Sequence, residues 1–341
     1  MRTLLIYIIG ITVLLAGCSR SGGSVPEPAP AVYYWRTSLT LDDTERAFLR
    51  DNHIGKVYLR LFDVVVRDGK PVPQATLTLE DTLPDTLTTI PVVFITPDVL
   101  QADTAGLAER LVARVIKMAR VMRLPAASEL QLDCDWTPAT RDVYFALLTD
   151  VRTRLQAEGW RLSTTIRLHQ LAQPAPPIDY GVLMVYNTGD FRQRTARNPI
   201  FSRADIEPFL PKLKDYPLPL CAAYPNFRWQ RLFSGDTFKG LLYSENLRDS
   251  TVYEALVPDS LYRVVQGRTL HGALQGGYDI HLSPGDEVVV SRPAEAEVVG
   301  LARAMEKARP GLHEQAVVYH LDSTSIQNLS SQYYESLYRI R

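Results

Sequence analysis

Past residue 31 the chain is a succession of short apolar runs separated by amphipathic stretches. Eight runs rich in β-branched and aromatic residues read as strands: 32–37, 56–64, 90–95, 129–136, 161–168, 180–186, 219–224 and 315–322. Helical spacing fills several of the intervals. Thr40 is placed to cap a helix over 41–52, with Asp42 and Asp43 in its first turn. Leu107, Leu111, Val115 and Met118 share one face of 104–122, and Tyr144, Leu147, Leu148 and Val151 one face of 141–158. Val298, Leu301, Ala302 and Met305 do the same in 293–308, and Ile326, Leu329, Tyr333 and Leu337 in 325–339. Strands that alternate with helices predict a parallel sheet with crossovers. Eight of them in about 290 residues predict a (β/α)8 TIM-type barrel of class α/β, over 32–341. The stretch 237–290 breaks the rhythm with short strand-like runs punctuated by Gly276-Gly277 and Pro284-Gly285-Asp286. It predicts a small β-rich insertion between the seventh and eighth strands.

The N-terminus follows a different pattern. Arg2 precedes an apolar run from Leu4 to Leu15, shorter than the roughly 20 residues of a membrane span. The run closes on Leu15-Ala16-Gly17-Cys18, which resembles the bacterial lipobox. That resemblance implies a signal peptide over 1–17 and lipidation of Cys18, hence a membrane anchor at the periplasmic or surface face of the cell envelope. The Ser-, Gly- and Pro-rich segment that follows completes a flexible tether over 18–31. With Cys18 acylated, Cys134 and Cys221 remain, both in apolar runs, and are expected as buried free thiols.

Composition narrows the function. The 341 residues are 46% hydrophobic and 22% charged, as expected of a globular chain. The 37 basic and 38 acidic side chains nearly cancel, which argues against nucleic acid as a partner and leaves a neutral glycan open. No Cys/His spacing predicts a metal site, and neither a Gly-x-Gly-x-x-Gly or Walker loop nor a Gly-x-Ser-x-Gly elbow occurs, so no cofactor is implied.

Chemistry concentrates at the predicted strand ends, where a barrel of this kind carries its site. Along the fourth strand, alternation places Gln131, Asp133, Asp135 and Thr137 on one face and Leu132, Cys134 and Trp136 on the other. Two inward carboxylates repel, which raises at least one pKa and suits acid–base work. The alternative is an ion pair with an inward arginine such as Arg60 or Arg167 that holds the barrel together.

Leu130 to Thr137 resembles the fourth-strand signature Asp-x-x-Asp-x-Asp-x-Glu of glycoside hydrolase family 18, the chitinase-like barrels. Asp133 and Asp135 match its second and third Asp, Trp136 the aromatic that often precedes the Glu. Leu130 stands where the first Asp belongs, and Thr137 where the Glu belongs. Met184-Val185-Tyr186-Asn187 is similar to the family's sixth-strand motif, and Tyr319-His320-Leu321-Asp322 to its eighth. The resemblance implies that Asp135 orients a substrate N-acetyl group, that Tyr186 hydrogen-bonds it, that Asp133 supports Asp135, and that Asn187 lines the site. A threonine hydroxyl is too weak an acid to protonate a leaving oxygen, so Thr137 argues against the family's standard hydrolysis. Asp63 and Asp190 are candidate substitutes.

Tyr34, Trp35, Tyr186, Tyr224, Phe227, Trp229 and Tyr319 lie near strand ends and either stack on sugars or fill the barrel. Trp229, Tyr319 and Asp322 are taken with Asn187 as ligand-binding candidates. His169 and His320 read as structural histidines. Three readings follow. The first is a lipid-anchored barrel that binds N-acetylated glycans, including N-acetylglucosamine oligomers, without turnover. The second is an active glycoside hydrolase with a relocated acid, and the third an envelope protein with no ligand at the barrel mouth.

Overall fold

The computed structural model describes residues 25, 27–194, 197–243, 245–272 and 277–340. The signal peptide and Cys18 lie outside the described residues, as does most of the tether. Eight parallel strands form the centre: β1 Ala31–Tyr34, β2 Lys56–Arg67, β3 Thr88–Ile95, β4 Glu129–Asp133, β5 Arg161–Arg167, β6 Tyr180–Met184, β7 Leu220–Pro225 and β8 Ala316–Tyr319. Each pairs with the next, and Ala31 of β1 meets Val317 of β8 on one side and Lys56 of β2 on the other, which closes the barrel. Closure removes every free edge and is why the strands read as near-continuous apolar runs.

Five longer helices surround the strands: α1 Asp43–Asp51, α2 Leu107–Val121, α3 Arg141–Ala157, α4 Glu295–Ala308 and α5 Ser331–Tyr338. Asp42, and not Thr40, caps α1: its side chain accepts from the Glu45 amide while Glu45 reaches back to the Asp42 amide. The predicted helix 325–339 is broken into Ser323–Ile326 and α5, because Ser330 starts a new cap by accepting from the Tyr333 amide. Between β2 and β3 there is no helix among the described residues. β2 runs on beyond the barrel and turns back as a hairpin with Lys70–Gln74.

The insertion is a five-stranded antiparallel sheet with strands Trp229–Ser234, Thr237–Leu242, Tyr253–Val257, Leu261–Val264 and Glu287–Ser291, joined by a hairpin of Arg268–Leu270 with Ile280–Leu282. It therefore begins at Trp229, eight residues before the predicted 237, because Trp229–Ser234 pairs on both sides, with Thr237–Leu242 and with Glu287–Ser291. It carries its own apolar core around Leu232, Leu242, Val264, Leu282 and Val288, separate from the barrel core.

The fourth strand's predicted faces explain the packing. Leu130, Leu132, Cys134 and Trp136 are buried on the outside, where Trp136 stacks on Tyr144 and meets Phe145 edge-on across α3. Glu129, Gln131 and Asp133 point inward. The lower barrel interior is polar and self-satisfied. Ser163 and Tyr180 donate to Glu129 at 2.6 and 2.7 Å, Tyr58 and Tyr180 share a hydrogen bond, and Lys56 donates to Gln315 at 2.9 Å. Tyr33 of β1 reaches across to Gln131 of β4 at 2.6 Å. A buried polar layer is tolerable only when its members are paired in this way. Cys134 and Cys221 are buried free thiols, and burial pushes Cys221 up to about 12.

Candidate functional site at the barrel mouth

At the C-terminal end of the strands the inward face of β4 delivers Asp133, and the next inward position, just past the strand, is Asp135. Thr165 on β5 donates to Asp133 at 2.5 Å. Arg167 ends β5 and bridges the two carboxylates, 3.5 Å from Asp133 and in direct contact with Asp135. Asp133 is almost fully buried, whereas Asp135 is half exposed. Burial lifts the Asp133 carboxyl above the usual carboxylate range, with Asp135 and Asp63 acting in the same direction and Arg167 against them. Burial opposes the charge on Arg167, but Asp133 and Asp135 outweigh it and hold the guanidinium firmly protonated. The inward carboxylates are thus ion-paired through Arg167, one of the two arginines the alternative reading of this strand proposed.

Thr137, the residue that the motif resemblance sets opposite an acid, gives nothing that titrates near neutrality. Thr137 is exposed, and its amide is held by the Thr140 hydroxyl at 3.0 Å. Of the two substitute acids, Asp63 lies near Asp133 but is ion-paired to Arg60, with one contact at 2.7 Å. Asp190 is exposed in a turn, where it accepts from the Arg192 amide at 2.9 Å.

Aromatic side chains build a wall beside these charges. Trp35 and Tyr319 lie 5.7 Å apart by ring centroid, Tyr319 and Tyr186 5.1 Å, Tyr186 and Phe227 5.9 Å, and Phe227 and Trp229 5.5 Å. Phe191 continues it, 5.2 Å from Trp229. Trp229 opens the insertion's first strand, so the insertion extends the wall outward. The Tyr186 phenol is pushed well up by burial and then by Tyr319, and stays a donor. Among the described residues it donates to the Met184 thioether at 3.1 Å, a weak partner that leaves the hydroxyl able to turn to a better one. On the flank, Trp35, Arg36, Arg60 and Tyr243 line a cavity of about 700 Å³.

The remaining predicted residues take other places. Asn187 follows β6 in a left-handed conformation, exposed, with its amide on the Ile200 carbonyl. Asp322 caps the Ser323–Ile326 turn by accepting from the Ser325 amide at 2.9 Å. That is a structural use, which follows from a carboxylate standing just before a helical turn. Tyr34 and Tyr224 point outward: Tyr34 donates to the Ser38 carbonyl, and Tyr224 bonds His313 at 2.6 Å.

Sequence reasoning missed Asn226. It is fully buried at the end of β7, accepts from the His320 amide at 2.6 Å and donates to the His320 carbonyl at 2.9 Å. Its own amide donates to the Tyr319 carbonyl, so it fixes the aromatic at the end of β8. An asparagine in an otherwise apolar strand end was the available signal. Phe191 and Tyr243 were missed as well, since neither lies in a periodic run. Among the described residues no group of three or more His, Cys, Asp or Glu could hold a metal ion.

No family model matches the chain, and no curated protein does. Solved structures do match. A chitinase from Chromobacterium violaceum superposes with a TM-score of 0.54 at 13% identity, over 91% of this chain and 98% of that one. The spore cortex-lytic enzyme SleL from Bacillus cereus gives 0.55 at 14%, over 91% and 73%. A class V chitinase from Pseudomonas fluorescens gives 0.53 at 12%, over 91% and 98%. At such identities the likeness is one of fold: this chain has the chitinase-like (β/α)8 barrel.

Proposed function

We propose that the chain binds an N-acetylated glycan at the aromatic mouth of its barrel and does not hydrolyse it by the route standard for chitinase-like enzymes. The observation that carries this reading is the wall from Trp35 through Tyr319, Tyr186 and Phe227 to Trp229, standing beside two carboxylates that share the single guanidinium of Arg167. Tyr186 and Phe227 are buried, but the partly exposed rings of Trp35, Tyr319 and Trp229 match the C–H faces of pyranoses, and the under-used Tyr186 hydroxyl suits an amide carbonyl. Thr137 supplies no proton near neutral pH, a loss worth a factor of roughly 10²–10⁴ in rate. Structures with this fold have been solved with chitin-type ligands, among them an Ostrinia furnacalis chitinase with penta-N-acetylchitooctaose and another with allosamidin, which supports a glycan here. The protein is held at the bacterial cell envelope by lipidated Cys18, and the glycan partner is met there.

The test is calorimetric titration with N-acetylglucosamine oligomers, wild type beside Tyr186→Phe and Trp229→Ala, with products followed by mass spectrometry. Saturable binding weakened about tenfold by either substitution, without cleavage, is expected. No binding by the wild type would overturn the reading. Cleavage would favour the second reading, a hydrolase with a relocated acid, for which the raised Asp133 carboxyl is the specific candidate.

A further inference from the structure

Six arginines lie between residues 228 and 292. Three are engaged: Arg231 donates to the Phe191 and Gln193 carbonyls, Arg263 lies 3.7 Å from Glu254, and Arg268 pairs with Glu245 and Asp249. The other three, Arg228, Arg248 and Arg292, have no side-chain partner among the described residues. All three line one groove of about 390 Å³ between the insertion sheet and the barrel's C-terminal segment. All three are exposed, so water screens much of their mutual repulsion, yet together they give the groove a positive potential that favours an anion. Asp259 in the lining offsets only one of the three, and Glu245 there is already occupied by Arg268.

A second observation concerns a neutral donor. The Asn328 side-chain amide nitrogen is buried in the same lining and has no acceptor. A buried donor without a partner is unfavourable until an acceptor reaches it. Three guanidiniums and an amide N–H present donors only, which is the complement of an oxyanion with several lone pairs. Guanidinium forks suit such a group through paired hydrogen bonds. Arg228 sits between Phe227 and Trp229 in the chain, but neither ring lines the groove, which is therefore separate from the aromatic wall.

We infer that this groove is a second binding site, for a phosphate-type oxyanion. Its net positive charge matches a phosphate group better than a single carboxylate. Two sources share that chemistry, a soluble phosphate compound and a phospholipid headgroup. The inference does not rest on glycan binding at the mouth.

The test uses the full chain, wild type and the double variant Arg248→Gln/Arg292→Gln, at fixed ionic strength. Inorganic pyrophosphate is titrated calorimetrically, and sedimentation measures binding to phosphatidylglycerol vesicles against phosphatidylcholine vesicles. The melting temperature of the variant in chloride alone reports whether it is folded. Expected is saturable pyrophosphate binding that weakens at least tenfold in the folded double variant, with Asn328→Ala giving a smaller loss. Arginine-dependent binding confined to phosphatidylglycerol vesicles also supports the site and assigns the headgroup as its source. Absence of saturable binding to both, or binding equal in wild type and folded variant, overturns the inference. If the double variant does not fold, Arg228→Gln, at an exposed position, is read by the same criteria.

Discussion

Arg167 shows how one side chain changes the meaning of a motif. Asp133 and Asp135 suggest acid–base chemistry until the guanidinium that joins them is placed. Removing one member of a buried pair leaves an uncompensated charge, which costs more than the pair itself contributes. Arg167→Met is expected to lower the unfolding free energy by about 3 kcal/mol, and urea denaturation near pH 7 measures it. Restoration of most of that loss by adding Asp133→Asn and Asp135→Asn is the sign of relieved repulsion, and a loss unchanged in the triple variant would count against the pairing argument. His320 is a second case. Burial holds its imidazole down at about 4, with Arg36 acting the same way and Asp322 against it. The unfolded chain therefore binds the proton more tightly. The neutral ring's contribution is complete above pH 6.5 and is lost as the pH falls toward 4. Relative to His320→Gln, wild type should lose about 2–3 kcal/mol across that window. A flat difference would show that the ring is solvated.

At the level of elements, the barrel strands and the insertion strands obey different rules. β6 is buried on both faces and paired on both sides. Tyr253–Val257 is an edge strand with four of its five residues other than buried, paired among the described residues only to Leu261–Val264. Local opening follows buried contact and shared pairing. Amide exchange is therefore expected to be at least tenfold faster in Tyr253–Val257 than in Tyr180–Met184, read by mass spectrometry at neutral pH. Equal protection would mean that the insertion and barrel open as one unit. Elsewhere a single side chain secures an element: Arg309, just past α4, donates to the carbonyls of Leu213, Tyr216 and Leu218 and so pins the approach to β7.

For the whole molecule, the aromatic wall and the arginine groove both draw on the short link from β7 into the insertion, Phe227 and Trp229 for the wall and Arg228 for the groove. No helix among the described residues is long and apolar enough to cross a membrane. Attachment to the envelope, as proposed, then depends on Cys18. Labelling cells with a fatty acid is expected to mark the wild type and not Cys18→Ser, and the variant should leave the membrane fraction. A variant that stays membrane-bound and a wild type that takes no label would sink the anchor.

The sequence by itself determined the eight strands, their order and the barrel. Apolar runs of strand length separated by amphipathic stretches leave few other ways to bury both faces of a parallel sheet, and alternation alone assigned Asp133 inward and Trp136 outward. It also marked the insertion, short of one strand, since Trp229–Ser234 reads as a strand only once partners lie on both sides of it. What tertiary structure alone decided was partnership. Arg167 is 32 residues from Asp135, and Asn226 is 94 from His320. Asp322 matched a site motif and is a helix cap. Charges and hydrogen bonds act over a few ångströms, and only chain closure fixes which distant residues come that near.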